Sequence, residues 1–141
     1  LSLRRQRQMC IRDSIKLRRE PLHWIADKSF ALPPAGQTLG LIVLPDTCSL
    51  QRFAVHTLDA AGVAYNIEHT ASDIGGLHLA LAAGLGIACL NASAVPSNAM
   101  AVEGDPRLPA LPDVEFSLAP PRRQEPAFIS DVRDMLAAHL R

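Results

Sequence analysis

LGLIVLPDTCSLQRFAVHTLDAAGVAYNIEHTASDIGGLHLALAAGLGIACLN, residues 39 to 91, alternates short apolar runs with stretches that carry a helical period. Leu39 to Leu44 is a continuous aliphatic run of the length of a buried strand. From Ser49 the positions Leu50, Phe53, Ala54, Thr57, Leu58 and Ala61 recur at i, i+3, i+4, i+7, i+8 and i+11, and Gly62 stands where a helix would stop. Val63 to His69 then alternates, with Val63, Tyr65 and Ile67 on one face, which predicts a strand. Ser72 and Asp73 offer N-cap chemistry to a second helix with the stripe Ile74, Leu77, Leu81 and Leu85, and Gly84 lies near its end. Gly86 to Leu90 reads as a third buried strand. Strand, helix, strand, helix, strand with short links predicts parallel βαβ units and a doubly wound α/β sheet.

Outward from this core the signals thin. Leu22 to Ala26 (LHWIA) predicts another strand, cut off from Leu39 by the Pro33-Pro34 pair. Residues 91 to 113 contain four prolines and no sustained period, and read as a long surface connection. After it, Val114 to Leu118 alternates as a strand. Phe128, Val132, Met135, Leu136 and Leu140 form the stripe of a closing helix begun near Pro126. One strand and one helix cannot bury a core of their own, so they are expected to belong to a second lobe.

The charge is uneven. Of 141 residues the first nineteen carry seven basic and one acidic side chain, against seven basic and thirteen acidic in the remainder. Arg4 to Ser14 (RRQRQMCIRDS) resembles translated sequencing-adapter read-through. Residues 1–14 are therefore expected to be a non-native, disordered head on a truncated fragment, with a nucleic-acid-binding basic arm as the other reading. No apolar run reaches the eighteen or so residues of a membrane span, and the arginine-rich start lacks the apolar core of a secretory signal, so no membrane partner and a cytoplasmic location are expected. Outside the head the two cysteines, Cys48 and Cys89, make neither a disulfide framework nor a metal-ligand spacing.

In an open parallel sheet, ligands sit beyond the carboxyl ends of strands, against helix N-termini. Two turns qualify: Pro45-Asp46-Thr47-Cys48-Ser49 and Thr70-Ala71-Ser72. Small hydroxyls beside free amides can hold a carboxylate or another small anion, and the same residues are ordinary N-caps. Cys48 at a helix start invites a thiol role, yet His56 lies eight residues on, about 12 Å along the helix, too far to act as its base. A packed or pocket-lining Cys48 is the simpler expectation. His23, His56, His69, His78 and His139 show no metal-binding spacing. Gly84-Leu85-Gly86 follows a helix, the wrong context for a dinucleotide fingerprint. No catalytic residue, metal or cofactor is implied.

EPLHWIA (Glu20 to Ala26), LPDTCSLQR (Leu44 to Arg52) and LALAAGLGIACLN (Leu79 to Asn91) together resemble the effector-binding domain of LysR-type transcriptional regulators. The likeness runs from about Leu17 to Arg141. It implies a periplasmic-binding-protein-like (type 2) fold, with one nearly complete Rossmann-like lobe at about residues 22–95 and a strand and helix of the other at about 114–141. Leu22 to Ala26 and Val114 to Leu118 would be the two crossing strands. By this resemblance Thr47, Cys48, Ser49, Thr70 and Ser72 line a cleft for a small, anionic inducer. Gln51, Arg52, Val55, His56 and Asp59 would face a partner in a homo-oligomer. DNA would be reached only through an N-terminal winged helix-turn-helix that this chain lacks, and nothing would be catalysed. A periplasmic-type solute-binding protein and a Cys48-dependent thiol sensor or enzyme are the other readings. A lobe lacking most of its neighbour is expected to be poorly soluble.

Overall fold

The computed structural model describes residues 14–141; the basic head, residues 1–13, lies outside the described residues. The chain forms two units, Pro21–Pro112 and a second made of the N-terminal stretch to Glu20 with Asp113–Arg141.

The larger unit is built on β2 (Leu39–Val43), α1 (Ser49–Ala60), β3 (Tyr65–Thr70), α2 (Ile74–Ala82) and β4 (Ala88–Asn91). β2 pairs parallel with β3, and Leu41 also bridges Ile87 in parallel on its other side. The chain therefore leaves β2 toward one neighbour through α1 and returns past it to the other neighbour through α2. Right-handed crossovers in opposite directions put the two helices on opposite faces. That is why β2 is apolar at every non-glycine position: Leu39, Leu41, Ile42 and Val43 are all buried. Ile42 meets Leu77, Ala80 and Leu81 of α2 in one cluster with Ile25, Ala88 and Leu90. Ala54 and Leu58 are buried on α1.

The expected all-parallel sheet is corrected at β4. β1 (Ile15–Asp27) runs antiparallel to it, with Leu22 opposite Asn91 and Ile25 opposite Ala88. β1 is longer than the strand expected over Leu22 to Ala26. The proline-rich connection is not a bare loop either. A 3-10 turn (Ala92–Ala94) and the short β5 (Ala99–Ala101) interrupt it, and β5 pairs antiparallel with Ile25 to Asp27. Prolines and short strand length hid this segment, whose ladder is only three residues wide.

Two side chains fasten the rest of that connection. The Trp24 indole N–H donates to the Pro109 carbonyl at 2.9 Å. Arg107 pairs with Asp105 through Nε (3.0 Å) and Nη2 (2.7 Å), and donates to the backbone carbonyls of Pro33 (2.8 Å), Pro34 (3.1 Å) and Gln37 (3.5 Å). The Arg107 guanidinium holds the Asp105 carboxyl down at about 2. The β1–β2 loop and the connection are thus tied by one planar fork.

In the smaller unit, β6 (Asp113–Leu118) pairs with β1, and Lys16 reaches Glu115 at 3.7 Å. α3 (Ala127–Leu140) buries only Ala137. Phe128, Ile129, Met135, Leu136 and Leu140, most of them in the expected apolar stripe, are exposed. The loop before α3 is held by Glu125, which takes Arg133 on both oxygens and accepts from the Ser130 hydroxyl and the Arg122 amide.

Candidate functional site

The parallel register sets Val43 beside Thr70, and the Ala71 amide donates to the Val43 carbonyl at 2.8 Å. The two hydroxyl-rich turns therefore leave neighbouring strands at the same edge of the sheet. Thr47, Ser49, Thr70 and Ser72 are exposed there and Cys48 is half-buried.

The two helix starts differ electrostatically. Asp73, not Ser72, caps α2: its Oδ1 accepts from the Gly76 amide at 2.7 Å. A carboxylate already occupies the positive end of that helix, so a second anion there meets repulsion. Cys48 is the N-cap residue of α1 in extended conformation, and its side chain makes no capping hydrogen bond. A thiol is a weak acceptor. No acidic residue stands in the first turn of α1; Asp46 lies two residues before its N-cap and makes no capping bond to it. Of the two helix starts, that of α1 is the one without a capping side chain.

Cys89, in β4, is buried, and its thiol is pushed up to about 12 by burial and by nearby Cys48. A thiol held so high is protonated at neutral pH and is a poor nucleophile. Both cysteines are free. Among the described residues no group of three or more metal-ligating side chains forms, and no helix is long and apolar enough to cross a membrane.

A groove of about 580 Å³ opens between α1 and β3 and brings together a different set. Gln51, Arg52, Val55, His56 and Asp59 all line it, with Val43, Leu44, Pro45, Asp46, Ile67 and Thr70. Of the residues expected to contact an effector, only Thr70 belongs to this lining. Gln51 is 9% exposed, and its Oε1 accepts from the Leu44 amide at 3.4 Å. The Tyr65 hydroxyl donates to Asp59 Oδ1 at 2.9 Å, and burial with that carboxylate raises the phenol above its usual range.

The expected stripe of α1 contains Ala54 and Leu58, which are buried, and Phe53, which is 37% exposed; it omits Gln51, which is buried too, because a polar side chain does not enter a count of apolar positions. The i, i+3, i+7 spacing of 51, 54 and 58 was the available signal.

The LysR substrate binding domain family matches residues 12–141. The regulator PecT of Dickeya dadantii (strain 3937), named as an HTH-type transcriptional regulator, is 29% identical over 104 residues, 74% of this chain and 33% of its own length. DgdR of Burkholderia cepacia, named likewise, is 33% identical over 125 residues, 85% of this chain and 42% of its own length. The chain thus spans well under half of these relatives. The regulatory domain of CcmR from Synechocystis PCC6803, solved in complex with 2-PG, superposes with a TM-score of 0.65 at 15% identity, covering 91% of this chain and 66% of that one. A βαβαβ lobe whose hydroxyl turns share one sheet edge, and a family match over all but the first eleven residues, place this chain in the LysR substrate-binding domain family, with its periplasmic-binding-protein-like fold.

Proposed function

We propose that the chain is the effector-sensing part of a bacterial LysR-type transcriptional regulator and that it takes a small anion at the Thr47-Cys48-Ser49 turn, with Thr70 and Ser72 on the adjoining wall. The observation that carries this reading is the α1 N-terminus beside the end of β3, where no side chain caps the first-turn amides and the hydroxyls of both turns lie close by. The 2-PG complex of CcmR, a fold neighbour, supports an anion as the ligand class. The family is one of regulators and not of enzymes, and no reaction is proposed for this chain.

In the whole protein, a ligand that bound two lobe arrangements equally would shift no population, so signalling requires preferential binding to one of them. Residues 22–95 would form the second lobe and 114–141 return to the first. DNA would be engaged through a separate winged helix-turn-helix domain, in the cytoplasm. The outward face of α1, with Arg52, Val55, His56 and Asp59, would lie toward a second subunit, while Gln51, expected there too, is buried against the sheet.

The test is a sulfate and 2-PG titration followed by amide NMR. Saturable shifts at residues 47–50 and 70–72, weakened in Ser49→Ala and Thr70→Val and kept in Cys48→Ala, which adds no capping group, are the expected result. Loss of the response in Cys48→Ala would favour the thiol-sensor reading; shifts confined to other parts of the chain would remove the anion site.

A further inference from the structure

The smaller unit carries a pocket of about 390 Å³ at the turn before α3, and its charge is unbalanced. Arg122, Arg123 and Arg133 line it against one carboxylate, Glu125. That carboxylate is fully engaged. Arg133 Nη2 donates to Glu125 Oε2 at 2.6 Å, the backbone amide of Arg122 donates to the same oxygen at 3.0 Å, and the Ser130 hydroxyl donates to Oε1 at 3.3 Å. The pair is nearly closed off from solvent, with 12% of the Arg133 side chain and 8% of the Glu125 side chain exposed, and Asp134 adds to the negative charge near Arg133. Arg133 is thus neutralised within the fold. Arg122 and Arg123 are not: both are exposed, and among the described residues no side chain bonds or pairs with either guanidinium.

The loop holds these two guanidiniums in a set place. Pro120 and Pro121 precede them and Pro126 follows, each with φ fixed by its ring. The Glu125 amide closes a turn on the Arg122 carbonyl at 3.3 Å, and Gln124 stands inside that turn at φ 62°, a left-handed position that costs a non-glycine residue free energy. A pair presented on a stiff turn loses less freedom on binding than the same pair on a loose loop. The start of α3 adds charge of the same sign, because Pro126 supplies no capping side chain and no acidic residue stands in the first turn. Pro120 and Ile129, the latter 42% exposed, give the pocket an apolar floor. Its volume is at the lower end of the range of small-molecule sites, about 300 to 1,000 Å³.

Guanidinium forks match the oxygens of phosphates and carboxylates, and two uncompensated ones in a single pocket match two negative charges. We infer that the pocket before α3 binds a small organic dianion with a short apolar body, a phosphate monoester in the simplest case, whose oxygens accept from Arg122 and Arg123 while the body lies on Ile129. The inference does not rest on the anion turn at α1, which belongs to the other unit.

The experiment titrates phenyl phosphate and the uncharged benzyl alcohol into the whole chain at about 0.15 M salt, where loose surface attraction is screened beyond about 8 Å. NMR of amides and of arginine Nε–H groups is the readout. The expected result is saturable shifts for the Arg122 and Arg123 Nε–H and for the Gln124, Glu125 and Ile129 amides with phenyl phosphate, at a Kd on the order of a millimolar. Benzyl alcohol should bind about tenfold more weakly. Arg123→Gln should weaken phosphate binding about threefold, and Arg122→Gln with Arg123→Gln roughly tenfold, with Ala137 signals unmoved. Arg123→Lys, which keeps the charge and loses the fork, should fall between the unaltered chain and Arg123→Gln. Equal response to the two probes, shifts that do not saturate, or undiminished binding to the folded double variant overturns the proposal. Shifts at residues 47–50 alone overturn it too and leave the α1 site standing, whereas shifts at 122–129 alone support it and remove the α1 site. Should the double variant fail to fold, the phosphate-to-alcohol preference and the arginine Nε–H shifts of the unaltered chain still decide it.

Discussion

Replacing Gly86 by alanine tests the packing of the sheet at its tightest point. A Cβ built at Gly86 falls 2.4 Å from the Gly40 carbonyl oxygen and 2.9 Å from its carbon, whereas ordinary contact begins at 3.4 Å. The obstacle is backbone, which cannot rotate away, so the strands must part by about 1 Å. That displacement stretches the Ile87 amide to Gly40 carbonyl bond, now 2.9 Å, beyond hydrogen-bonding range, and strains the Ile42 amide to Ile87 carbonyl bond at 2.8 Å. Leaving one or two buried backbone groups unpaired costs about 1–3 kcal/mol each, so a loss of about 2–4 kcal/mol is expected. Domains of this size are stable by only about 5–15 kcal/mol. Gly84 is the control: its φ of 71° strains an alanine, but nothing lies within 4 Å of the added atom, and about 1 kcal/mol is expected. Urea unfolding followed by the fluorescence of Trp24, the single tryptophan and a buried one, reads both variants. If Gly86→Ala is as stable as Gly84→Ala, the close approach of the two backbones does not hold the sheet and the reasoning is refuted.

Other perturbations separate core from surface. Leu81→Ala, at a fully buried position in the α2 cluster, should cost about 2–5 kcal/mol in the same urea assay. Trp24→Phe removes the indole donor to Pro109, and hydrogen exchange should quicken across residues 102–111 before it does in β2. Asp27, bonded to Ser29 and Asn98, and Glu125, bonded to Arg133, are both held down at about 2, as is Asp105. Folded values below the unfolded ones mean a stabilisation present above about pH 4 and lost as the pH falls toward 2. The urea midpoint should be flat from pH 7 to 5 and drop below 4, with a smaller drop in Asp27→Asn.

The alternation of strand and helix from Leu39 to Leu90 was legible because each element must bury a face, and periodicity records that demand directly. Pairing direction was not. An antiparallel neighbour such as β1 uses the same apolar residues as a parallel one, and only the path of the chain decides between them. β5 escaped notice because three residues between prolines carry no period. On α1 the predicted stripe held the buried Ala54 and Leu58 but not Gln51, whose polar side chain gives no sign of burial in an apolar period. The hydroxyls of both turns were visible, but not that Asp73 would occupy one helix end while Cys48 left the other open; a cap is a matter of rotamer and not of residue type. The apolar stripe of α3 was likewise read, while its exposure depends on neighbours that no local pattern describes.

The fork of Arg107 grips main-chain carbonyls of the loop it ties down, those of Pro33, Pro34 and Gln37, and no side chain there. The two sides of this tie should therefore drift at different rates under random mutagenesis. Positions 33, 34 and 37 can change chemical character freely so long as the loop keeps its length and curvature. Arg107 has no substitute, since lysine has no planar fork with which to reach Asp105 and several carbonyls at once. In this part of the fold an insertion of one residue between 33 and 37 would do more damage than replacing every side chain in that stretch.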